Sequence, residues 1–179
     1  CNPDRPMGRK KVLTPPPAKI TAQQYEIPVW QPEKLSPTPP MFLPASFQFA
    51  IVAAYNKIIP KEVLELFPMG IIGVHPSLLP HYRGPSPIQT AILSGEKKSG
   101  ATLFITDEKV DHGPLLAQRT LEDDFGTMDY TRAHDALAAL SGKLLIETLP
   151  EFFKAKIMPQ EQHHEKAAAP TSESDKIAP

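Results

Sequence analysis

Cysteine is almost absent from these 179 residues: the single one is Cys1, so no internal disulfide framework and no cysteine-ligated metal site can be built. That usage fits a reducing compartment. Long apolar runs are lacking too. No stretch approaches the roughly 18 residues that span a bilayer, and none has the apolar core of a signal peptide. No membrane partner is therefore expected, and the expected compartment is cytoplasmic, with an organelle as the alternative. Net charge is only −1, which removes any global attraction to nucleic acid; an RNA partner would need a local basic patch. Such a patch opens the chain, where residues 1–19 carry Arg5, Arg9, Lys10, Lys11 and Lys19 against Asp4 alone. With 41% hydrophobic and 22% charged residues, the remainder suits one globular core.

The chain begins Cys1-Asn2-Pro3-Asp4 and shows no strand-like apolar run before Phe49, so it reads as a fragment whose first strand-helix-strand unit lies outside it. Residues 1–19 end in Pro15-Pro16-Pro17 and read as an extended loop, because consecutive prolines cannot occupy a helix interior. Thr21 is a candidate N-cap for a short helix over residues 20–28. Pro32, Pro37, Pro39, Pro40 and Pro44 keep residues 31–45 irregular. Phe49-Ala50-Ile51-Val52-Ala53-Ala54 then has the pattern of a strand buried on both faces. Ile71-Ile72-Gly73-Val74 and Ala101-Thr102-Leu103-Phe104-Ile105 repeat it, and Leu115 to Ala117 adds a further short strand. Helices are predicted between them at residues 61–66, opened by Pro60, and at 87–94, closed by Gly95. This alternation predicts an α/β fold with a parallel sheet and helices on both faces. From Thr127 onward a long helix is expected, with Leu137, Leu140, Leu144, Leu145 and Leu149 as one core-facing stripe. Residues 160–179 are polar and read as a solvated tail or linker, leaving 1–159 as the domain.

Chemistry concentrates in Gly73-Val74-His75-Pro76-Ser77-Leu78-Leu79-Pro80-His81-Tyr82-Arg83-Gly84 and in Asp111-His112-Gly113-Pro114. In a parallel sheet the strand ends carry the ligand site, because there the backbone leaves the ladder and side chains converge. Taken alone, a histidine at a strand end is more often structural than catalytic, and an aspartate before His-Gly more often makes a turn. Together they resemble the signature of the folate-dependent formyltransferases: Asn-x-His at a strand end, then Ser-Leu-Leu-Pro, then an aspartate well downstream. Tyr82-Arg83-Gly84 followed by Pro87-Ile88-Gln89 is similar to the methionyl-tRNA formyltransferase branch rather than the glycinamide ribonucleotide branch. Pro3-Asp4-Arg5-Pro6-Met7-Gly8-Arg9-Lys10-Lys11 resembles that branch's basic loop, and Ala54-Tyr55-Asn56-Lys57-Ile58-Ile59-Pro60 its Ala-Tyr-Gly-x-Ile-x-Pro turn. Ala169-Pro170 through Ile177 is similar to its linker toward a C-terminal barrel domain.

The resemblance implies a Rossmann-like sheet in a monomer that moves a formyl group from 10-formyltetrahydrofolate to the α-amine of methionyl initiator tRNA. The substrate's own amine is then the nucleophile, and no serine or cysteine is needed. His75 would donate to the oxyanion or shuttle the proton, while Asp111 would orient the imidazole and hold a proton-transfer water. The pterin would lie against Ile58, Ile59 and the Asp107 to Asp111 loop, with Ser77, Leu78, Leu79 and Pro80 at the folate site. Arg5, Arg9, Lys10 and Lys11 would meet tRNA phosphates. No metal is expected, since the histidines are scattered and His163-His164 lies in the polar tail.

Gly73 departs from the family, whose asparagine offers an amide to the formyl oxygen. Losing one such donor typically costs about 10²–10³ in turnover. Three readings stay open: a slow or inactive enzyme that still binds folate, a water in place of the amide, or compensation by Asn56, which stands where the turn usually has glycine. A Gly73→Asn change is expected to rescue an impaired transferase. A folate-binding protein without transfer activity and a formyltransferase acting on an amino sugar nucleotide remain as alternatives, the basic loop arguing against the second.

Overall fold

The computed structural model describes residues 1–36 and 47–167. Readings placed on residues 37–46, among them Pro37, Pro39, Pro40 and Pro44, and on the tail past 167 lie outside the described residues. The chain divides into two units, Cys1–Pro39 and Pro40–Pro179.

In the first unit, β1 (Arg5–Met7) and β2 (Val12–Thr14) pair antiparallel, with Arg5 opposite Thr14. The proline-rich opening is thus a hairpin rather than a plain extended loop. Gly8 and Lys11, both at positive φ, close its turn, and the Lys11 amide donates to the Gly8 carbonyl at 3.1 Å. Pro6 is tolerated because a two-stranded ribbon consists of edges only. Helix α1 (Pro17–Gln24) starts earlier than predicted: Pro17 takes the first helical position, where a fixed φ helps and a missing N–H costs nothing. Lys19 donates to Asp4 at 2.8 Å and Gln31 at 2.7 Å, and these bonds, the lysine's foremost, hold the Asp4 carboxyl below its ordinary pKa.

The second unit is built on four strands in the order β3 (Ala50–Ala53), β4 (Ile71–His75), β5 (Gly100–Ile105) and β6 (Leu115–Thr120). The α/β class holds, but the all-parallel sheet is corrected. Only β3 and β4 run parallel, while β4 with β5 and β5 with β6 are antiparallel. Thr102 faces His75, so β5 enters the sheet level with the end of β4 and no crossover returns the chain to the far edge. Residues 106–114 are then too short for a crossover and make a hairpin connection. β3 differs from expectation as well. Among the described residues it has one neighbour in the sheet, and its residues alternate between half-buried and exposed instead of being covered on both faces.

Between the strands lie α2 (Lys61–Leu64), shorter than predicted and preceded by Pro60 as its cap residue, and α3 (Pro87–Leu93), closed at Gly95 with φ +69. The long helix α4 (Tyr130–Phe153) begins after Asp129, whose carboxylate accepts from the Arg132 amide at 2.9 Å; Thr127 falls in a preceding 3-10 turn. Its buried residues Ala133, Leu137, Ser141, Leu144 and Thr148 recur at helical period. Leu137 joins Ile88, Leu121 and Phe125 in one cluster, and Leu144 joins Ile72, Leu103 and Leu116 in another. Leu140 packs against both, so α4 ties the sheet to α3.

Strand alternation places Ile72 and Leu103 toward α4, and Gly73, His75, Thr102 and Phe104 toward the opposite face. There the Ser77–Pro80 segment lies against the sheet. Thr102 Oγ1 donates to the Ser77 carbonyl at 2.6 Å and accepts from the Leu79 amide at 3.1 Å, and Gln118 donates to the Leu79 carbonyl at 2.7 Å. We expect Leu137→Ala to cost about 2–5 kcal/mol in denaturant unfolding, as a fully buried leucine leaves a cavity. Ile146→Ala on the same helix, 75% exposed, should fall within about 0.5 kcal/mol of the parent.

Candidate functional site

His75 closes β4 with its side chain 7% exposed, so its ring nitrogens must find partners within the protein. Nε2 lies 2.8 Å from the Tyr82 carbonyl oxygen. A carbonyl only accepts, hence Nε2 must carry the hydrogen. Nδ1 is left facing Asp111 Oδ2 at 3.5 Å. The same Asp111 oxygen accepts from the Gly84 amide at 2.8 Å. One short segment, Tyr82 to Gly84, thereby anchors the histidine through a carbonyl and the aspartate through an amide.

Asp111 reaches His75 from an unexpected direction. Ile105, at the end of β5, pairs with Ile72, so the 106–114 loop leaves the sheet at the far end of β4 from His75. It must fold back over the sheet face that carries Gly73 and Phe104. Gly113 permits the return, because a Cβ there would run into the Ile105 carbonyl oxygen. Asp111 itself sits at φ 47, a left-handed conformation that aspartate tolerates better than most residues. Within the loop, Asp107 accepts from the Lys109 amide at 2.9 Å and from His112 Nδ1 at 2.7 Å.

A residue the sequence reading missed completes the arrangement. Gln162, assigned to the solvated tail, is 4% exposed. Its amide nitrogen donates to the carbonyls of Asp111 (3.0 Å) and Gly113 (2.8 Å), and its oxygen accepts from Arg83 at 2.5 Å. Gln160 holds this segment beside β6 through paired backbone bonds with Leu115 of 2.7 and 2.8 Å. His164, though exposed, stacks on His112 with ring centroids 4.1 Å apart and receives a hydrogen bond from Arg83 at 2.9 Å. Nothing local announced this: the segment is uniformly polar, and its burial depends on partners far away in the chain.

The other predicted residues are distributed more loosely. Ser77, Leu79 and Pro80 are buried, and the Ser77 hydroxyl donates to the His81 carbonyl at 2.6 Å, so this turn is engaged internally, while Leu78 is half-buried. Ile58 is 78% exposed and Ile59 half-buried, just beyond the end of β3, the parallel neighbour of β4. Asn56 lies in the same turn, exposed, and among the described residues no hydrogen bond joins it to His75. Arg5, Arg9, Lys10 and Lys11 are exposed on the hairpin of the first unit, with no ion-pair partner among the described residues. Tyr82 donates its hydroxyl to Glu96 at 2.6 Å, and burial, then this bond, raises its pKa.

Gly73 is explained by its cross-strand partner. Phe104 pairs with it on the same face, and a Cβ built on Gly73 would overlap the Phe104 ring. The ring occupies the space that any side chain at position 73 would need.

Residues 1–149 match the family described as formyl transferase. A methionyl-tRNA formyltransferase of Chloroflexus aurantiacus is 42% identical over 167 residues, covering 92% of this chain and 54% of the relative. One from Listeria monocytogenes is 42% identical over 170 residues, covering 92% and 53%. This chain therefore spans about half the length of the curated relatives it matches. Among solved structures, the formyltransferase PseJ of Anoxybacillus kamchatkensis, in complex with UDP-4,6-dideoxy-4-formamido-L-AltNAc and tetrahydrofolate, superposes with a TM-score of 0.69 at 25% identity, covering 90% of this chain and 84% of that one. A methionyl-tRNA formyltransferase from Clostridium thermocellum gives 0.52 at 27% identity, covering 69% and 49%.

The Phe104 ring adds a stability cost to Gly73→Asn, separate from any effect on transfer. The single substitution should destabilise the chain by about 1–3 kcal/mol or more, as overpacked cores do. Gly73→Asn with Phe104→Ala should recover part of that loss. Thermal unfolding of the two variants beside Phe104→Ala alone checks this, and a single Gly73→Asn variant as stable as the parent would contradict it.

Proposed function

The chain belongs to the formyl transferase family, and from that footing we propose that it transfers a formyl group from 10-formyltetrahydrofolate to the α-amine of methionyl initiator tRNA. The observation that carries this reading is the contact between His75 Nδ1 and Asp111 Oδ2 at 3.5 Å, each residue anchored by the Tyr82–Gly84 segment. In the reaction the amine attacks the formyl carbon, the bond from that carbon to the folate nitrogen breaks, and a proton passes from the attacking nitrogen to the leaving one. Charge gathers on the formyl oxygen meanwhile. Since Nε2 is committed to the Tyr82 carbonyl, Nδ1 is the histidine atom that would serve the reacting group. Asp111 would stabilise a ring carrying hydrogen on both nitrogens and fix its orientation.

Position 73 brings no amide, so the chain is a slow transferase beside a relative with asparagine there, by about 10²–10³ in turnover. Ile58 and Ile59, exposed and half-buried past β3, supply an apolar surface for the pterin, and the 107–111 loop supplies backbone groups for its polar edge. The tetrahydrofolate named with PseJ supports a folate donor. For the acceptor, the 42% identity to methionyl-tRNA formyltransferases favours tRNA, and the exposure of Arg9, Lys10 and Lys11 at the hairpin turn supports contacts to its phosphates. A second acceptor, an amino sugar nucleotide, is favoured by the TM-score of 0.69 with PseJ.

Single-turnover formylation of charged initiator tRNA, run beside a UDP-linked amino sugar, distinguishes the two. His75→Asn and Asp111→Asn should each lower the transfer rate by about 10²–10⁴ with tRNA binding little changed. Replacing Arg9 and Lys10 with alanine should weaken tRNA binding and flatten its salt dependence while folate binding stays put. Formylation of the sugar alone would transfer the assignment to the second acceptor.

A further inference from the structure

We infer that Gln162 is a positioning residue of this site, the fastener that sets the distance between His75 and Asp111. The inference rests on the transferase reading for its kinetic consequences, though not for its geometry.

The two partners come from separate loops. His75 is anchored to the Tyr82 carbonyl, and Asp111 to the Gly84 amide. Arg83 lies between those two anchor groups in the chain, so any shift of Arg83 moves both. On the other side, Asp111 and Gly113 belong to the 106–114 loop, which folds back across the sheet. Gln162 is bonded to both sides at once. Its carbonyl oxygen accepts from Arg83 at 2.5 Å, while its amide nitrogen uses its two hydrogens on the Asp111 and Gly113 carbonyls at 3.0 and 2.8 Å. The chemistry selects an amide. A primary amide alone among the neutral side chains offers two donors and an acceptor on one planar group. A glutamate would keep the acceptor for Arg83 and turn a second acceptor toward two carbonyls.

Burial makes the bonds consequential. At 4% exposed, Gln162 is shielded from solvent, so removing it takes one bond from Arg83, which keeps its bond to His164, and takes a donor from each of two loop carbonyls. The loop can then relax by fractions of an ångström, and the 3.5 Å gap at the histidine changes with it. The amide itself is bonded to Arg83 and to the loop carbonyls, and not to the His75 ring, so its effect runs through the two loops.

The test compares the full chain with Gln162→Glu, Gln162→Met and, as a control in the same segment, His163→Ala, whose side chain is exposed. Folding is verified by thermal unfolding before any rate is read. The expected result is a fall in kcat approaching ~10²-fold in both Gln162 variants, with KM for donor and acceptor within about threefold, since a misplaced group damages the transition state more than binding. His163→Ala should match the parent. A second readout needs no turnover: the ring-nitrogen NMR signals of His75 at fixed pH should move in both Gln162 variants and stay in place in His163→Ala. Unchanged kcat with unchanged His75 signals in a folded Gln162 variant overturns the proposal, as does a loss of rate confined to KM with His75 undisturbed. If the parent formylates neither acceptor, the transferase reading fails, and the His75 signals alone decide whether Gln162 positions the pair. Should one variant not fold, the other carries the comparison.

Discussion

A carbonyl oxygen accepts hydrogen bonds and never donates them. That elementary asymmetry, at Tyr82, dictates which nitrogen of His75 bears hydrogen and leaves the other turned toward Asp111. The geometry of the candidate site follows from it. Tyr82 and Gly84 flank one residue, and their opposite backbone polarities hold two opposite kinds of side chain: the carbonyl takes the imidazole N–H, and the amide N–H takes the carboxylate. A backbone segment can do this reliably because its groups cannot rotate away as side chains do. Around it, the bonds of Ser77, Thr102 and Gln118 fasten the turn that delivers Tyr82 to its place.

The same economy of space governs the sheet beneath. Two antiparallel pairings send the 106–114 loop out at the wrong end for His75, and a close approach at Gly113 lets it return. Along the path of that return the face carries Gly73 and the Phe104 ring lying over it. A bare backbone opposite an aromatic ring is a recurring way to fill a sheet surface without a second side chain, and it accounts for Gly73 through packing with no appeal to chemistry.

Much of this was legible in the sequence. The runs at Ile71 and Ala101 give buried strands because their residues are uniformly apolar, and the leucine spacing from Leu137 gives α4 because a helix repeats every 3.6 residues. Asp111 and His75 could be coupled only through the resemblance, and they do meet. Strand direction was not legible, since an apolar run reads the same in either sense and the decision lies in the length of the connections. The hairpin at residues 5–14 was obscured by Pro6, whose cost vanishes where there are no inner strands. Among the described residues β3 pairs with β4 alone, and no pattern within residues 49–54 records that. Gln162 was invisible for a related reason: its partners, Arg83, Asp111 and Gly113, lie far off in sequence, and a polar side chain carries no mark of whether protein or water will satisfy it.

The central claim is that His75 and Asp111 act as one unit on a single bound carbonyl. A double-mutant cycle on the formyl-transfer rate, built from His75→Ala, Asp111→Ala and the pair, addresses it most directly. The account predicts strong non-additivity, with the double variant scarcely slower than His75→Ala, because the carboxylate has nothing to orient once the ring is gone. Multiplying losses, so that the double variant falls by the product of the two single effects, would show two residues working independently and would contradict the account.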